Sequence, residues 1–252
     1  MSRCDFRIPR LYVQFPLDLG ANVPLDASQS NHLINVLRLR AGDLILVFNS
    51  RDGEWQATLE NASKRRFSLT IGAQTRPQTL PADLDLLFAP LKHARLDYMV
   101  QKAVEMGASR LQPVITRHVQ VAHVNIDRIH ANAIEAAQQC GILTLPEICA
   151  PLGLEQIIAD RDPSRILVFC DEDAPVTDPI AALSAARSPH VREAVAVAVL
   201  IGPEGGFSSE ERAVLGGLAN VVRLSLGPRI LRADTAAVAA LALVGAVLGD
   251  WR

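Results

Sequence analysis

The sequence predicts an α/β protein: a parallel sheet covered on both faces by helices, preceded by a smaller β-rich unit. Three observations predict it. From Asp83 onward short apolar runs alternate with stretches of helical periodicity, the rhythm of parallel strands joined by helical crossovers. Ahead of Pro77 and Pro81, short apolar or alternating runs are broken by turn signals, with a single helical stretch among them. Near the C-terminus, two apolar runs each stop in a glycine-bearing turn, with one short helix between them.

In the β-rich part, Leu11–Phe15, Leu44–Phe48, Glu54–Leu59 and Arg66–Ile71 read as strands, parted by Ala41-Gly42-Asp43 and Arg51-Asp52-Gly53. One helix, His32–Leu39, is expected to interrupt them with Leu33, Val36 and Leu37 on one face. These elements assemble naturally into a small barrel. The polar stretch 73–82 marks a linker, which places one domain at 1–76 and a second at 77–252.

Beyond it, Leu84–Phe88 is a buried strand, and Arg95–Met106 a helix with Leu96, Met99, Val100, Ala103 and Val104 at helical spacing. Strand Leu111–Ile115, helix Ile126–Gln139, strand Ile166–Cys170, helix Pro179–Ala186 and strand Ala194–Ile201 follow. Ser208 and Glu211 form a capping box that starts a helix running to about Leu215, before Gly216-Gly217. Val221–Leu226 is the last strand, and the closing helix begins near Asp234.

Hydrophobic residues make up 49% of the chain and charged residues 21%, enough for a sizeable core and contrary to disorder. Aromatics are only 4%, which argues against a single-strand binder built on stacking platforms. The net charge of −2 hides a division: residues 1–76 carry 10 Lys and Arg against 7 Asp and Glu, or +3, and the remainder 15 against 20, or −5. A small basic unit on a mildly acidic body fits an RNA-touching module joined to a catalytic one. Cys4, Cys140, Cys149 and Cys170 form no C-x-x-C pair or zinc-ligand cluster, so no metal is expected. Residues 1–10 lack the apolar segment of a signal peptide, and the most hydrophobic stretch, Thr235–Gly249, is 15 residues, too short for a membrane span. A cytoplasmic protein with free thiols is expected.

The two C-terminal turns carry the chemistry. The first is Leu200-Ile201-Gly202-Pro203-Glu204-Gly205-Gly206-Phe207; the second is Leu224-Ser225-Leu226-Gly227-Pro228-Arg229-Ile230-Leu231-Arg232, followed by Ala233-Asp234-Thr235. Without a Cβ, glycine lets a ligand approach bare backbone N–H and C=O groups at the end of a strand. Two such turns in succession predict adjacent loops building one pocket. Glu204 has no packing reason to sit between Pro203 and Gly205. Arg229 and Arg232 flank the apolar pair Ile230-Leu231, and the helix starting at Asp234-Thr235 turns free N–H groups toward the same place. No G-x-G-x-x-G follows a strand and no Walker A lysine motif occurs, so a nucleotide-like cofactor held mainly by backbone is expected rather than NAD or ATP.

At these residues the chain resembles the RsmE family of bacterial 16S rRNA (uracil-N3)-methyltransferases, within the SPOUT superfamily. His32–Arg38 with Gly42-Asp43 is similar to the family's N-terminal signature, Gln101–Gly107 with Gln112–Val114 to its central one, and Ile201–Phe207 and Leu226–Ala236 to its two C-terminal motifs. The resemblance implies an N-terminal PUA-like β-barrel that helps hold rRNA and a C-terminal SPOUT-type parallel sheet with a deep trefoil knot. It implies S-adenosyl-L-methionine bound by Leu200–Gly206, Leu224–Leu231 and Thr235, a homodimer, and 16S rRNA of the 30S subunit, in its decoding region, as substrate. Two departures stand out: Ile142 where relatives carry arginine, and Asp234 where glutamate is common.

For methyl transfer to uracil N3, which carries a proton at neutral pH, a general base or a cation stabilising the uracil anion is needed. Arg232 is the first candidate to orient the base or stabilise the anion, Arg229 the second, with Glu204 or Asp234 as proton acceptor. Candidate phosphate contacts are Arg7, Arg10, Arg38, Arg40, Lys64, Arg65 and Arg66 in the barrel, with Lys92, His93 and Arg95 beside the pocket. A ribose 2′-O methyltransferase of the same superfamily and a non-catalytic ribosome-binding protein stand as alternatives.

Overall fold

A computed structural model describes residues 7–63, 66–121, 123–175, 178–187 and 195–251. The chain divides into two compact units: the N-terminal residues through Leu80 together with Ala137–Leu145, and Pro81–Ala136 together with Pro146 onward.

The first unit holds β1 (Arg10–Tyr12), β2 (Asn22–Pro24), α1 (Ala27–Asn31), β3 (Leu44–Phe48), β4 (Glu54–Ser63) and β5 (Arg66–Arg76) in the sheet order β1-β3-β4-β5-β2. Strands β1 and β3 run parallel, and the other pairs antiparallel. The inward residues of all five strands, such as Leu11, Val23, Val47, Leu59 and Ile71, meet in one core with Leu17 and Leu33, so the sheet curls around it.

The expected helix His32–Leu39 is different in kind. Asp26 and Gln29 form a capping box on α1, which runs into a π-helical turn, His32–Val36. Leu33 is buried within this wider turn, while Val36 is 61% exposed and Leu37 is also exposed, so the three do not share a face. Arg38 ends the turn in the left-handed region at φ 57°.

Buried Glu54 is the polar centre of this unit. Its carboxylate accepts from Arg10 Nε at 2.9 Å, from Arg76 Nη2 at 2.6 Å and from Thr75 Oγ1 at 2.8 Å. Arg76 Nη2 also donates to the Gly141 carbonyl at 2.9 Å. The returning segment is held further by Tyr12 N–H to Gln138 Oε1 at 2.8 Å and by Gln78 Nε2 to Thr144 Oγ1 at 2.9 Å.

The second unit contains β6 (Leu84–Phe88), α2 (His93–Glu105), β7 (Arg110–Ile115), α3 (Ile126–Cys140, whose last turn belongs to the first unit), β8 (Glu147–Ile148), β9 (Leu152–Gly153) and α4 (Leu154–Ala159). It continues with β10 (Ile166–Cys170), α5 (Pro179–Ala186), β11 (Val197–Ile201), α6 (Ser209–Gly216), β12 (Val221–Leu224) and α7 (Ala233–Val247). The sheet order is β12-β10-β11-β6-β7-β8, with β9 also on β7, and every pairing is parallel. Strands β6 and β11 are buried at every position because helices cover both faces, which is why they read as unbroken apolar runs. After β11 the chain passes β10 to form β12, then returns to lay α7 against β11, α2 and α5. Ala237, Ala240, Leu241 and Val244 form the buried face of α7. Among the described residues no helix is long and apolar enough to cross a membrane.

A candidate active site at the ends of three neighbouring strands

Strands β11, β10 and β12 are adjacent and parallel, so their C-terminal ends open onto one edge of the sheet. The segments that follow them, Cys170–Glu172, Ile201–Phe207 and Leu224–Arg232, enclose a cavity of about 510 Å3 with the first turn of α7. The two glycine turns therefore do build one pocket. From the first, Ile201, Gly202, Pro203, Glu204 and Gly206 line it; from the second, Leu224, Ser225, Leu226, Gly227, Arg229, Ile230, Leu231 and Arg232. Leu200, Gly205 and Thr235 stand outside the lining: Leu200 is buried in β11, Gly205 abuts His118, and Thr235 is exposed on α7.

Local sequence explains the shape. A Cβ on Gly202 would come within 2.5 Å of the Phe207 ring, so the loop closes tightly on itself only with glycine there. Gly206 adopts φ +69° and passes the Glu172 and Arg212 side chains, where a Cβ would lie 3.2 Å from Glu172 Oε1. His118 Nδ1 lies 3.2 Å from the Gly206 carbonyl and braces this loop from outside.

The polar groups of the pocket are arranged in pairs. Asp171, fully buried, accepts from Arg223 Nη2 at 2.6 Å, and Arg212 Nε lies 3.3 Å from its other oxygen. Arg212 also pairs with Glu172 at 3.1 Å and with Asp173. On the opposite wall Arg95, from the first turn of α2, is ion-paired to Glu204. Arg229 and Arg232 are exposed and, among the described residues, have no ion-pair partner. Burial pushes the Cys170 thiol up to about 12, although the residue as a whole is only half-buried.

Helix α7 starts one residue earlier than expected. Arg232 is its N-cap, without a side-chain cap, and Asp234 lies in the first turn with Oδ1 accepting from Thr235 N–H at 3.0 Å. Asp234 therefore serves its own helix end and does not line the pocket. Sequence reasoning missed Cys170, Asp171, Glu172, Phe207, Arg212, Ala233 and Ala236 as pocket residues. Strand order is the signal that was needed, since β10 lies between β11 and β12 and must deliver its following loop to the same edge.

The expected phosphate contacts fall into different places. Arg7, Arg38, Arg40 and Arg66 are exposed on the first unit, and Lys92 is exposed on the second. Arg10 is a correction: its guanidinium is buried against Glu54 and is not a surface cation. Arg95 is half-buried in the pocket wall. Lys64 and Arg65 lie outside the described residues. Among the described residues no group of three or more His, Cys, Asp or Glu side chains is arranged to hold a metal ion.

An RNA methyltransferase domain model matches residues 78–245 of this chain, and an RNA methyltransferase PUA domain model matches residues 25–72. The ribosomal RNA small subunit methyltransferase E of Rickettsia conorii is 29% identical over 236 residues, 93% of this chain and 94% of the relative. Its counterpart in Synechocystis sp. is 30% identical over 246 residues, 95% of this chain and 78% of the relative. The crystal structure of a ribosomal RNA small subunit methyltransferase E from Neisseria gonorrhoeae bound to S-adenosyl methionine has a TM-score of 0.82 at 27% identity, covering 97% of this chain and 100% of that one. A putative methyltransferase from Legionella pneumophila in complex with the same cofactor has a TM-score of 0.77 at 28% identity, covering 95% and 98%. The chain belongs to the ribosomal RNA small subunit methyltransferase E (RsmE) family, with a PUA-like unit ahead of an RNA methyltransferase domain.

Proposed function

We propose that this protein methylates N3 of a specific uridine in 16S rRNA, within the decoding region of the 30S subunit, with S-adenosyl-L-methionine as donor. The observation that carries the reading is the pocket built by the two glycine turns, in a chain matched over residues 78–245 by an RNA methyltransferase model. About 510 Å3 is in the range of a nucleoside-sized ligand. Its walls combine apolar Ile201, Leu224, Leu226 and Leu231 with the bare backbone of Gly202, Gly206 and Gly227, which suits an adenosyl group held mainly by main chain. When bound, the donor supplies a methyl group on a positive sulfonium. Ile201–Gly206 and Leu224–Leu231 would hold it.

The protein's own part is positioning and charge. Fixing the acceptor nitrogen in line with the methyl group supplies several kcal/mol of the barrier reduction. Arg232, exposed at the pocket and without an ion-pair partner among the described residues, orients the uracil and stabilises negative charge on O2 or O4. Arg229 supports it from the same loop. The target base must be unpaired or flipped to reach the pocket. The first unit, with Ala137–Leu145 as its returning segment, acts as the RNA-holding domain and the second as the catalytic one, with Arg7, Arg38, Arg40, Arg66 and Lys92 on phosphates, so binding weakens steeply with salt. The passage of the chain past β10 and back supports the trefoil knot of the family. The protein works as a homodimer in the cytoplasm.

The test is nucleoside mass spectrometry of small-subunit rRNA from cells lacking this protein. Loss of 3-methyluridine is expected, and an unchanged level overturns the substrate assignment.

A further inference from the structure

Three carboxylates line the pocket, and their partners separate their roles. Asp171 is fully buried, with one oxygen on Arg223 and the other beside Arg212. Glu172 is engaged by Arg212, on the wall formed after β10. Glu204 stands apart from both. It is 41% exposed, is paired with Arg95, and belongs at once to the pocket and to a shallow cleft beside it. That cleft is lined by Pro90, Leu91, Lys92, His118, Gln120 and Val121, with Pro203 and Glu204 as the shared wall. Asp234, the other carboxylate of the C-terminal turns, is occupied by its own helix and does not line the pocket.

On the methyl-transfer reading, we infer that Glu204 takes the N3 proton of the acceptor uracil and that Arg95 is the positioning residue that holds it. As N3 bonds the methyl carbon, the C–S bond breaks with its electron pair left on sulfur. The N3–H pair stays on nitrogen and the proton passes to a Glu204 oxygen. A proton acceptor must be ionised and within hydrogen-bond reach of the base. Arg95, from α2, is ion-paired to Glu204 and so fixes a side chain carried on an exposed loop. The other charged or titratable groups lining the pocket and the cleft are Lys92 and His118 on the cleft side and Cys170, Asp171, Glu172, Arg212, Arg229 and Arg232 on the pocket side.

The test compares the full-length protein with Glu204→Gln, Arg95→Gln, Arg95→Lys and Asp234→Asn. Single-turnover methyl transfer to 30S subunits is followed, and S-adenosylhomocysteine affinity is measured by calorimetry. For Glu204→Gln the transfer rate should fall at least about 100-fold, with S-adenosylhomocysteine affinity within threefold of wild type. For Arg95→Gln the transfer rate should fall, with S-adenosylhomocysteine affinity again within threefold of wild type; Arg95→Lys, which keeps the ion pair to Glu204, should restore much of it, and Asp234→Asn should keep the full rate. The inference is overturned if Glu204→Gln keeps its rate, if either Gln variant acts mainly by losing product affinity, or if Arg95→Lys is as slow as Arg95→Gln. Wild-type protein inactive on 30S subunits would instead overturn the methyl-transfer reading itself.

Discussion

The Phe207 ring lies against Gly202 so closely that a Cβ at that position would meet it at 2.5 Å. Phe207 is in turn packed edge-on to Phe169 of β10, with ring centroids 5.0 Å apart. The first pocket loop is thus anchored to the neighbouring strand through one aromatic ring. Gly202→Ala must push that ring aside, and a loss of about 1–3 kcal/mol in stability is expected from overpacking. Thermal unfolding checks this, and calorimetry should show weakened S-adenosylmethionine binding in parallel. Unchanged values for both would mean the ring relocates without cost.

Arg232 presents its charge at the mouth of the pocket from the N-cap of α7, where it closes no side-chain hydrogen bond to the helix. Arg232→Ala should therefore keep cofactor affinity within about tenfold and abolish turnover. A variant that mainly weakens the cofactor would assign this side chain to donor binding instead.

Glu54 gives the first unit a defined pH dependence. Burial pushes its carboxyl up, but hydrogen bonds from Arg76, Arg10 and Thr75 outweigh it and hold the group below its ordinary value of 4.5. The unfolded chain therefore binds the proton more tightly. The stability this provides is complete above about pH 4.5 and is lost as pH falls through the folded value. Glu54→Gln should cost about 3–5 kcal/mol at pH 7, since it removes the buried carboxylate shared by Arg10 and Arg76. In acid denaturation the gap between variant and wild type should narrow below pH 4, and a gap constant with pH would exclude the carboxylate as its source.

Thiol labelling should separate the cysteines. Cys140 is exposed, whereas the Cys170 thiol is pushed up to about 12 by burial and is almost entirely protonated at pH 8. Iodoacetamide at pH 8 should modify Cys140 in the native protein and reach Cys170 only on unfolding, as peptide mass spectrometry would report. Native modification of Cys170 at a comparable rate would contradict this environment.

The long elements were readable because burial on both faces leaves an apolar signature. Leu84–Phe88 and Ile166–Cys170 stand where their apolar runs placed them, and Pro179–Ala186 is bounded by the Asp178 cap and by Arg187. The two-residue strands β8 and β9 were not, since a pairing of that length carries no periodicity. Nor was the π-helical turn at His32–Val36, where one wider turn shifts Val36 and Leu37 off the face that Leu33 occupies. In the pocket, glycine turns announce themselves because few other jobs need those residues. Asp171, Glu172 and Arg212 have no such mark in one dimension; they become pocket residues only through the adjacency of β10 to β11 and β12.

The chain visits its first unit twice, the second time with Ala137–Leu145, which supplies the Gln138 oxygen to Tyr12 and the Gly141 carbonyl to Arg76. A ribosome releasing this polypeptide from its N-terminus thus cannot complete that unit when residue 80 emerges. Those donors wait, solvated, until Leu145 has been synthesised, and by then two strands of the catalytic sequence, β6 and β7, are already outside the exit tunnel or passing through it. Maturation is therefore interleaved rather than sequential, and an excised N-terminal fragment would be born without its closing piece.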